Sequence, residues 1–211
     1  MRVLRLALAL LVLMAGQATA CPDAPDDADY AIHHETHGEV GRHSITFACA
    51  GEDLVVETRV TGEVKVLFVP IFQREARYRE VWRGDRLIAF DSWFKDNGEV
   101  YEVKARAAGD QTIIEGRRGR TLAPSTVVPN HPWNHAVIGR PLLFDIQRGR
   151  LQQVRVTPAG ADTIWVGGAE VSALKYLVTG DLERELWYGR DGEWLKSRLE
   201  YQGAKITLTR Q

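Results

Sequence analysis

Long apolar segments are scarce in this chain, and the clearest one lies at its N-terminus. Leu6–Met14 is an unbroken apolar run, shorter than the ~20 residues that a membrane-spanning helix needs. Two arginines precede this run, and the small-residue triplet 18–20 (Ala-Thr-Ala) follows it, an order typical of an export signal that is removed. We therefore expect residues 1–20 to be a signal peptide, the rest to be periplasmic, and no transmembrane segment to remain.

Cysteine is equally scarce, since the chain has only Cys21 and Cys49. Two cysteines in an exported chain fit one disulfide in an oxidising compartment, and a loop of roughly 30 residues closed in this way is stabilised by about 3 kcal/mol. Alternatively, Cys21 carries a lipid anchor, which would make the protein a membrane-anchored lipoprotein. Ala18 stands where lipidation signals usually have leucine, so we favour the disulfide.

The sequence also lacks an excess of charge and the common catalytic motifs. Its formal net charge is −1, whereas nucleic-acid-binding proteins usually carry a strongly basic face. It contains no G-x-S-x-G elbow, no Walker-type glycine loop and no H-E-x-x-H motif, which are signatures of major enzyme classes. We expect no nucleic-acid partner and no cofactor, and a binding protein is favoured over an enzyme.

Alternation of apolar and polar residues is what the sequence contains in abundance. Arg42–Ala50 and the longer Leu54–Phe68 both alternate with period two, which is typical of half-buried strands. Asp96-Asn97-Gly98 is typical of a hairpin turn. About a dozen such segments occur without interleaved helices, and they predict an all-β fold with one curled antiparallel sheet, a β-roll or open barrel.

Two segments depart from this pattern. Residues 21–29 hold two prolines and four aspartates, and we expect an acidic linker there followed by a single β domain over residues 30–211. Residues 122–141 hold four prolines and two histidines. This Pro-rich segment is expected to be a long connection, with a short helix, that lies across the sheet.

The histidines are the first candidates for chemistry. His131 and His135 flank Trp133, and their spacing would place both on one face of a helix. A metal-dependent hydrolase that uses this pair is therefore an alternative function. No carboxylate or cysteine stands nearby in sequence to complete a ligand shell, and Pro132 suits the first turn of a helix better than its middle.

A second group of histidines occupies positions 33, 34, 37 and 43. His33 and His34 are adjacent, so in a strand they point to opposite faces. His43 shares the apolar face of its strand with Phe47, where a hydrogen-bonded core histidine is the usual arrangement. A site that combines both groups of histidines stays open at this point.

Six tryptophans and six tyrosines supply either core residues or the walls of an apolar ligand cavity. The candidates for ligand binding are Trp82, Trp133, Trp187 and Tyr188. Our leading hypothesis is a concave, aromatic-rich sheet face that binds a lipid or glycolipid. A further alternative is an envelope assembly partner that recognises another protein through an exposed strand edge. The arginines near Glu75 and Glu80 are interpreted as a solvated face.

Short motifs spread over the domain carry a family resemblance. They are Glu80-Val81-Trp82 with Leu87, Pro124-Ser125-Thr126 leading to Trp133-Asn134, Phe144-Asp145 with Gly149 and Leu151, Tyr176–Asp181, and Leu186-Trp187-Tyr188 with Trp194-Leu195. In these motifs the chain resembles an uncharacterised family of exported proteobacterial proteins, a domain of unknown function. The resemblance implies no settled activity, and the family pattern has the tryptophan and asparagine of the Pro-rich segment without both histidines, which weighs against a metal. Exported β-rolls of this kind also resemble lipoprotein-carrier and glycolipid-binding folds, an argument at the level of the fold only.

Overall fold

The computed structural model describes residues 24–211, which form fifteen β-strands and one short 3-10 helix. The strands are β1 (Ala28–His34), β2 (Gly38–Ala50), β3 (Asp53–Val66), β4 (Val69–Arg83), β5 (Arg86–Asp96), β6 (Glu99–Ala108), β7 (Gln111–Gly116), β8 (Gly119–Pro124), β9 (Val128–Pro129), β10 (Leu142–Phe144), β11 (Leu151–Val166), β12 (Ala169–Gly180), β13 (Arg184–Tyr188), β14 (Trp194–Tyr201) and β15 (Ala204–Arg210). The 3-10 helix, His135–Gly139, lies between β9 and β10.

All of these strands belong to one open sheet. Its order is β8-β7-β6-β5-β4-β3-β2-β1-β15-β14-β13-β12-β11-β10-β9, and every neighbouring pair is antiparallel except β9 with β10. The first strand pairs with the last one, so the two halves of the chain meet in the middle of the sheet. The predicted all-β fold with a curled antiparallel sheet is confirmed.

Side chains that meet across the sheet show how it curls. The Tyr201 hydroxyl of β14 donates a hydrogen bond to Asp96 Oδ2 of β5 (2.9 Å) and accepts one from Arg74 Nη2 of β4 (2.9 Å). Arg74 Nε also donates to Asp96 Oδ1 (2.8 Å). Burial raises the pKa of Asp96, but the hydrogen bond and charge of Arg74, together with the hydrogen bonds from Tyr201 and Gln147, hold that pKa below its usual range. Strands separated by several others in the sheet order are thus tied together.

The Pro-rich segment lies against the inner face of the curled sheet, as expected. The Tyr188 hydroxyl donates a hydrogen bond to the carbonyl oxygen of Pro132 (2.9 Å). Trp133 packs edge-on against Trp82 and Phe47, near the ends of β4 and β2. The segment therefore closes one end of the curl, with the predicted short helix inside it.

The hydrophobic core is divided between the two faces of the sheet. The larger cluster occupies the inner face. A smaller one covers the opposite face of β11–β14, where Trp187 packs with Ile164, Ala173 and Leu195. Successive residues of a strand point to opposite faces, so Trp187 belongs to the outer cluster and Tyr188 to the inner one.

The strand boundaries differ from expectation at two places. Alternation predicts a strand up to Phe68, but β3 ends at Val66, and Leu67 and Phe68 form the turn with φ of 49° and 69°. Neither is a residue type that usually marks such a turn, so the sequence gives no signal there. β1 begins at Ala28, inside the segment expected to be a linker.

Part of the expected N-terminal organisation lies outside the described residues. The signal peptide of residues 1–20, and Cys21 with its disulfide to Cys49 or its lipid anchor, stay predictions. Among residues 24–211, no helix is both long and apolar enough to cross a membrane.

Candidate functional site

A buried carboxylate lies on the inner face of the sheet. Glu80 of β4 is fully buried, so the interpretation of a solvated face was wrong for this residue. Glu80 Oε2 accepts a hydrogen bond from the indole N–H of Trp82 (2.8 Å), and Oε1 accepts one from that of Trp133 (3.0 Å). A buried carboxylate is tolerated where donors surround it, and the two tryptophans supply those donors.

Glu80 is the first member of a chain of three buried side chains. His131 Nδ1 lies 2.7 Å from Glu80 Oε1, and His131 Nε2 lies 3.2 Å from His43 Nε2. Both contacts are hydrogen bonds if His131 Nδ1 donates to the Glu80 carboxylate and His43 Nε2 donates to His131 Nε2. Burial, then the neighbouring His131 and Arg184, hold the pKa of His43 well below its usual range. His43 is therefore neutral at pH 7.

The two histidines border an apolar cavity of about 340 Å³ inside the curled sheet. That volume is in the range of small-molecule sites. The aliphatic and aromatic part of the wall includes Ile32, Val64, Phe72, Phe94, Ile206 and Leu208. Its polar part includes His43, His131, Asn130, Arg184 and Ser197.

The cavity opens at the end of the sheet opposite Trp133. It is lined there by His34 at the end of β1 and His37 of the β1–β2 turn, and by Tyr201 at the end of β14 and Gln202 of the β14–β15 turn. The alternating strand directions place these turns and the β3–β4 turn at the same end of the sheet. Three hairpins that are neighbours in the sheet therefore border the mouth.

The β3–β4 hairpin carries an exposed apolar tip beside this mouth. Val64 and Ile71 line the cavity, and the tip between them exposes 88% of Leu67 and 95% of Phe68. Large apolar side chains in such a position commonly mark contact with a ligand, protein or membrane.

Arg184 is the least satisfied polar side chain of the cavity wall. Its Nη1 donates to the carbonyl oxygen of Asn130 (3.1 Å), while its buried Nε has no hydrogen-bond partner within residues 24–211. Burial lowers the pKa of Arg184, opposed by the nearby Tyr188, Tyr78 and Asp145. A guanidinium of this kind favours an anion from outside the protein.

None of the four aromatic candidates contributes to the wall of this cavity. Trp82 and Trp133 donate to Glu80, and Tyr188 holds the Pro-rich segment. Trp187 lies on the outer face, where its indole N–H donates to Asp162 Oδ2 (2.8 Å). The aromatic side chains that do line the cavity include Tyr78 and Trp194. Ligand binding by the four candidates stays a prediction.

The metal candidates do not come together. His131 faces Glu80 and His43, whereas the ring of His135 packs edge-on against Tyr188, with ring centroids 4.8 Å apart. The helix begins only at His135, so the two residues do not share a helical face. Across residues 24–211, no three His, Cys, Asp or Glu side chains form a group that could hold a metal ion.

Sequence reasoning missed Glu80 and Arg184, although strand parity contains a signal for both. Glu80 has the parity of Tyr78 and Trp82, which are buried on the inner face. Arg184 has the parity of Leu186 and Tyr188. A charged residue that alternates with large apolar residues is a candidate for a buried polar group.

Comparison with known proteins places the sequence in a family. A family model described as a domain of unknown function, DUF6134, matches residues 30–211. The chain belongs to the DUF6134 family. The resemblance to a domain of unknown function is thereby confirmed. No curated protein matches the chain.

The fold of this DUF6134 chain is similar to that of a solved structure. A β-barrel-like protein of the domain of unknown function DUF1849 from Brucella abortus superposes with a TM-score of 0.59. The two sequences are 12% identical, and the match covers 89% of this chain and 96% of the other. At this identity the likeness concerns the fold alone.

Proposed function

We propose that this DUF6134 protein is an exported, periplasmic binding protein for an apolar ligand of the lipid or glycolipid class. The observation that carries the proposal is the cavity of about 340 Å³, which has a mostly apolar wall and one mouth between three hairpins. Apolar cavities with few polar groups are the usual form of lipid sites. The ligand's hydrocarbon part lies between the strands, and its polar part lies near His43, His131 and Arg184.

The position of the cavity supports uptake through the hairpin end. The Pro-rich segment and Trp133 fill the opposite end, and the Tyr201–Asp96–Arg74 contacts keep the strands around the mouth together. The exposed Leu67 and Phe68 extend the apolar wall outwards. A lipid can thus pass from an apolar surface into the cavity without full exposure to water.

A neutral fluorescent probe tests the cavity directly. N-phenyl-1-naphthylamine should bind the purified protein saturably, at about one molecule per chain, with a strong rise in emission. Ile206→Trp, which fills the cavity, should weaken this binding about tenfold or more, because lost apolar burial of that size is worth over 1.4 kcal/mol.

Leu177→Trp is the matched control, since Leu177 is an exposed residue outside the cavity wall. It should leave probe binding unchanged. The proposal would be contradicted if the wild type showed no saturable probe binding, or if Ile206→Trp bound the probe as tightly as the wild type.

Export is a separate part of the proposal and rests on the character of residues 1–20. Intact-mass measurement of the protein from the cell envelope should give a chain that starts at Cys21. A mass lower than that of the free dithiol by two hydrogen atoms would support the Cys21–Cys49 disulfide, and an added diacylglycerol would support the lipid anchor.

A further inference from the structure

The polar end of the cavity contains a cationic group, Arg184, that forms no ion pair with a carboxylate within residues 24–211. Arg184 belongs to β13, and its parity places it on the inner face with Leu186 and Tyr188. Its Nη1 donates to the carbonyl oxygen of Asn130, a neutral acceptor, and its buried Nε has no acceptor among residues 24–211. A buried, unpaired N–H usually calls for an acceptor that is absent from the protein alone.

The carboxylate that acts on Arg184 through its charge, Asp145, and the fully buried Glu80 are both engaged by other donors. Asp145 acts on Arg184 through its charge, but its Oδ1 accepts from the backbone N–H groups of Gln147 (2.8 Å) and Arg148 (3.1 Å). Its Oδ2 lies 3.5 Å from Arg150 Nε. Glu80 is surrounded by its own three donors. Neither carboxylate is thus available to the Arg184 Nε.

The neutral groups that line the cavity with Arg184 do not repel an incoming anion. His43 is neutral and uncharged groups such as Ser197 and Tyr78 line the same cavity. Charges in an apolar cavity are weakly screened, so a charge-assisted hydrogen bond from a guanidinium to an oxyanion is strong there. The apolar wall continues from this point to the mouth.

We propose that Arg184 binds the anionic head group of the cavity ligand, and that the ligand is an amphiphile with a hydrocarbon tail and one terminal oxyanion. This assignment rests on the proposed function and narrows its ligand class. The Nε–H of Arg184 donates to a head-group oxygen, and the tail lies along Ile32, Val64, Ile206 and Leu208 towards the hairpin turns. Carboxylate and phosphate monoester head groups share this chemistry.

Competition against bound N-phenyl-1-naphthylamine tests the assignment. Laurate, dodecyl phosphate and dodecanol each have a chain of twelve carbon atoms, which in laurate includes the carboxyl carbon, so they differ mainly in the head group. At pH 8 the better of the two anions should displace the probe from the wild type at a concentration about tenfold or more below that of dodecanol. Comparison of the displacing concentrations of laurate and dodecyl phosphate identifies which oxyanion the protein prefers.

The matched variants are Arg184→Gln and Arg155→Gln. Arg155 is an exposed residue of β11, and its variant should keep the wild-type preference for the anion. Arg184→Gln should lose the preference for the anion over dodecanol, with each displacement concentration corrected for that variant's own affinity for the probe. The assignment would be overturned if dodecanol displaced the probe from the wild type as well as the anions do, or if Arg184→Gln kept the preference for the anion. Neither result would contradict ligand binding in the apolar cavity. Absence of probe binding to the wild type would overturn the proposed function itself.

A measurement on the wild type alone covers the case in which Arg184→Gln does not fold. Carbon NMR of carboxyl-labelled laurate in the complex should show an ionised carboxylate at a pH where free laurate is already protonated, because the guanidinium favours the charged form. A bound signal that titrates together with free laurate, or at higher pH, would overturn the assignment.

Discussion

Glu80 is the residue on which the buried polar chain depends, because three donors converge on its two oxygens. Two of these donors are indoles and the third is His131. Donors left without an acceptor inside a protein lose the full benefit of their solvation in water. The side chain therefore stabilises the packing of the Pro-rich segment on β4, beside the cavity.

Glu80→Gln should lower the free energy of unfolding by about 2 to 4 kcal/mol. Glutamine keeps the size of the side chain but removes the charge and one acceptor oxygen, so at least one of the three donors loses its partner. Urea unfolding followed by far-ultraviolet circular dichroism measures the change. The control is Asp85→Asn, whose side chain is 92% exposed and which should change the stability by less than about 0.5 kcal/mol. Equal effects of the two substitutions would contradict this role of Glu80.

His43 should make the protein less stable as the pH falls. Its folded-state pKa is held below the unfolded value by burial, then by His131 and Arg184. The unfolded chain therefore takes up a proton from about pH 6.5 downwards, while the folded protein resists it. The resulting stability is fully present above pH 6.5 and decreases below it, at up to about 1.4 kcal/mol per pH unit.

His43→Gln removes this titration, so its stability should fall less steeply between pH 6.5 and pH 5 than that of the wild type. Urea midpoints measured across this range provide the comparison. His37→Gln is the control, because His37 is exposed, and its curve should run parallel to the wild-type curve. A wild-type slope that persists in His43→Gln would show that another group causes it.

At the scale of single elements, the β2–β3 pair provides a test of how tightly the strands around the cavity pack. Gly41 and Gly62 face each other across this pair. A Cβ at Gly41 would overlap the backbone carbonyl of Thr61, whereas one at Gly62 would lie 3.7 Å from the carbonyl oxygen of Val40, an ordinary contact. Gly41→Ala should therefore destabilise the protein by about 1 to 3 kcal/mol, and Gly62→Ala by much less. Thermal unfolding of the two variants measures this difference. Equal melting temperatures would contradict the β2–β3 register.

The β3–β4 hairpin tip should matter for the rate of ligand uptake rather than for affinity. Replacing both Leu67 and Phe68 by serine removes apolar contacts worth about 1.5 to 3 kcal/mol each when they are buried. Transfer of a fluorescent fatty acid from phospholipid vesicles should slow at least about tenfold, with unchanged affinity for ligand added from solution. Trp165→Ser, at the 63% exposed Trp165 of β11, should transfer ligand at the wild-type rate. A tip variant with the wild-type rate would exclude this role.

At the scale of the whole molecule, period-two alternation was enough to predict an all-β fold with a curled antiparallel sheet. The turn at Asn97-Gly98 was also predictable, because both residues adopt the positive φ (48° and 88°) that these residue types tolerate. The pairing of β1 with β15 was not, since it joins residues at opposite ends of the chain. Long-range pairing depends on the packing of both halves, which local patterns do not record.

The candidate site was less predictable for a related physical reason. His43 was expected to be a hydrogen-bonded core histidine and is one, but its partner, His131, is 88 residues away in sequence. The abundance of tryptophan pointed to an aromatic cavity, but which aromatic side chains line it was not predictable: Tyr78 and Trp194 do, whereas Trp82 and Trp133 serve as donors to Glu80. Which face of a curled sheet encloses space follows only from how its strands come together.

Native mass spectrometry can show whether the curled sheet holds an anionic amphiphile in its cavity. The protein is purified from the host envelope without detergent, and the intact complex is weighed and then dissociated in the gas phase. We expect one bound molecule per chain, which is released as an acidic lipid-like species and is lost in Ile206→Trp but not in Leu177→Trp. A ligand-free mass together with no uptake of laurate or dodecyl phosphate would contradict it.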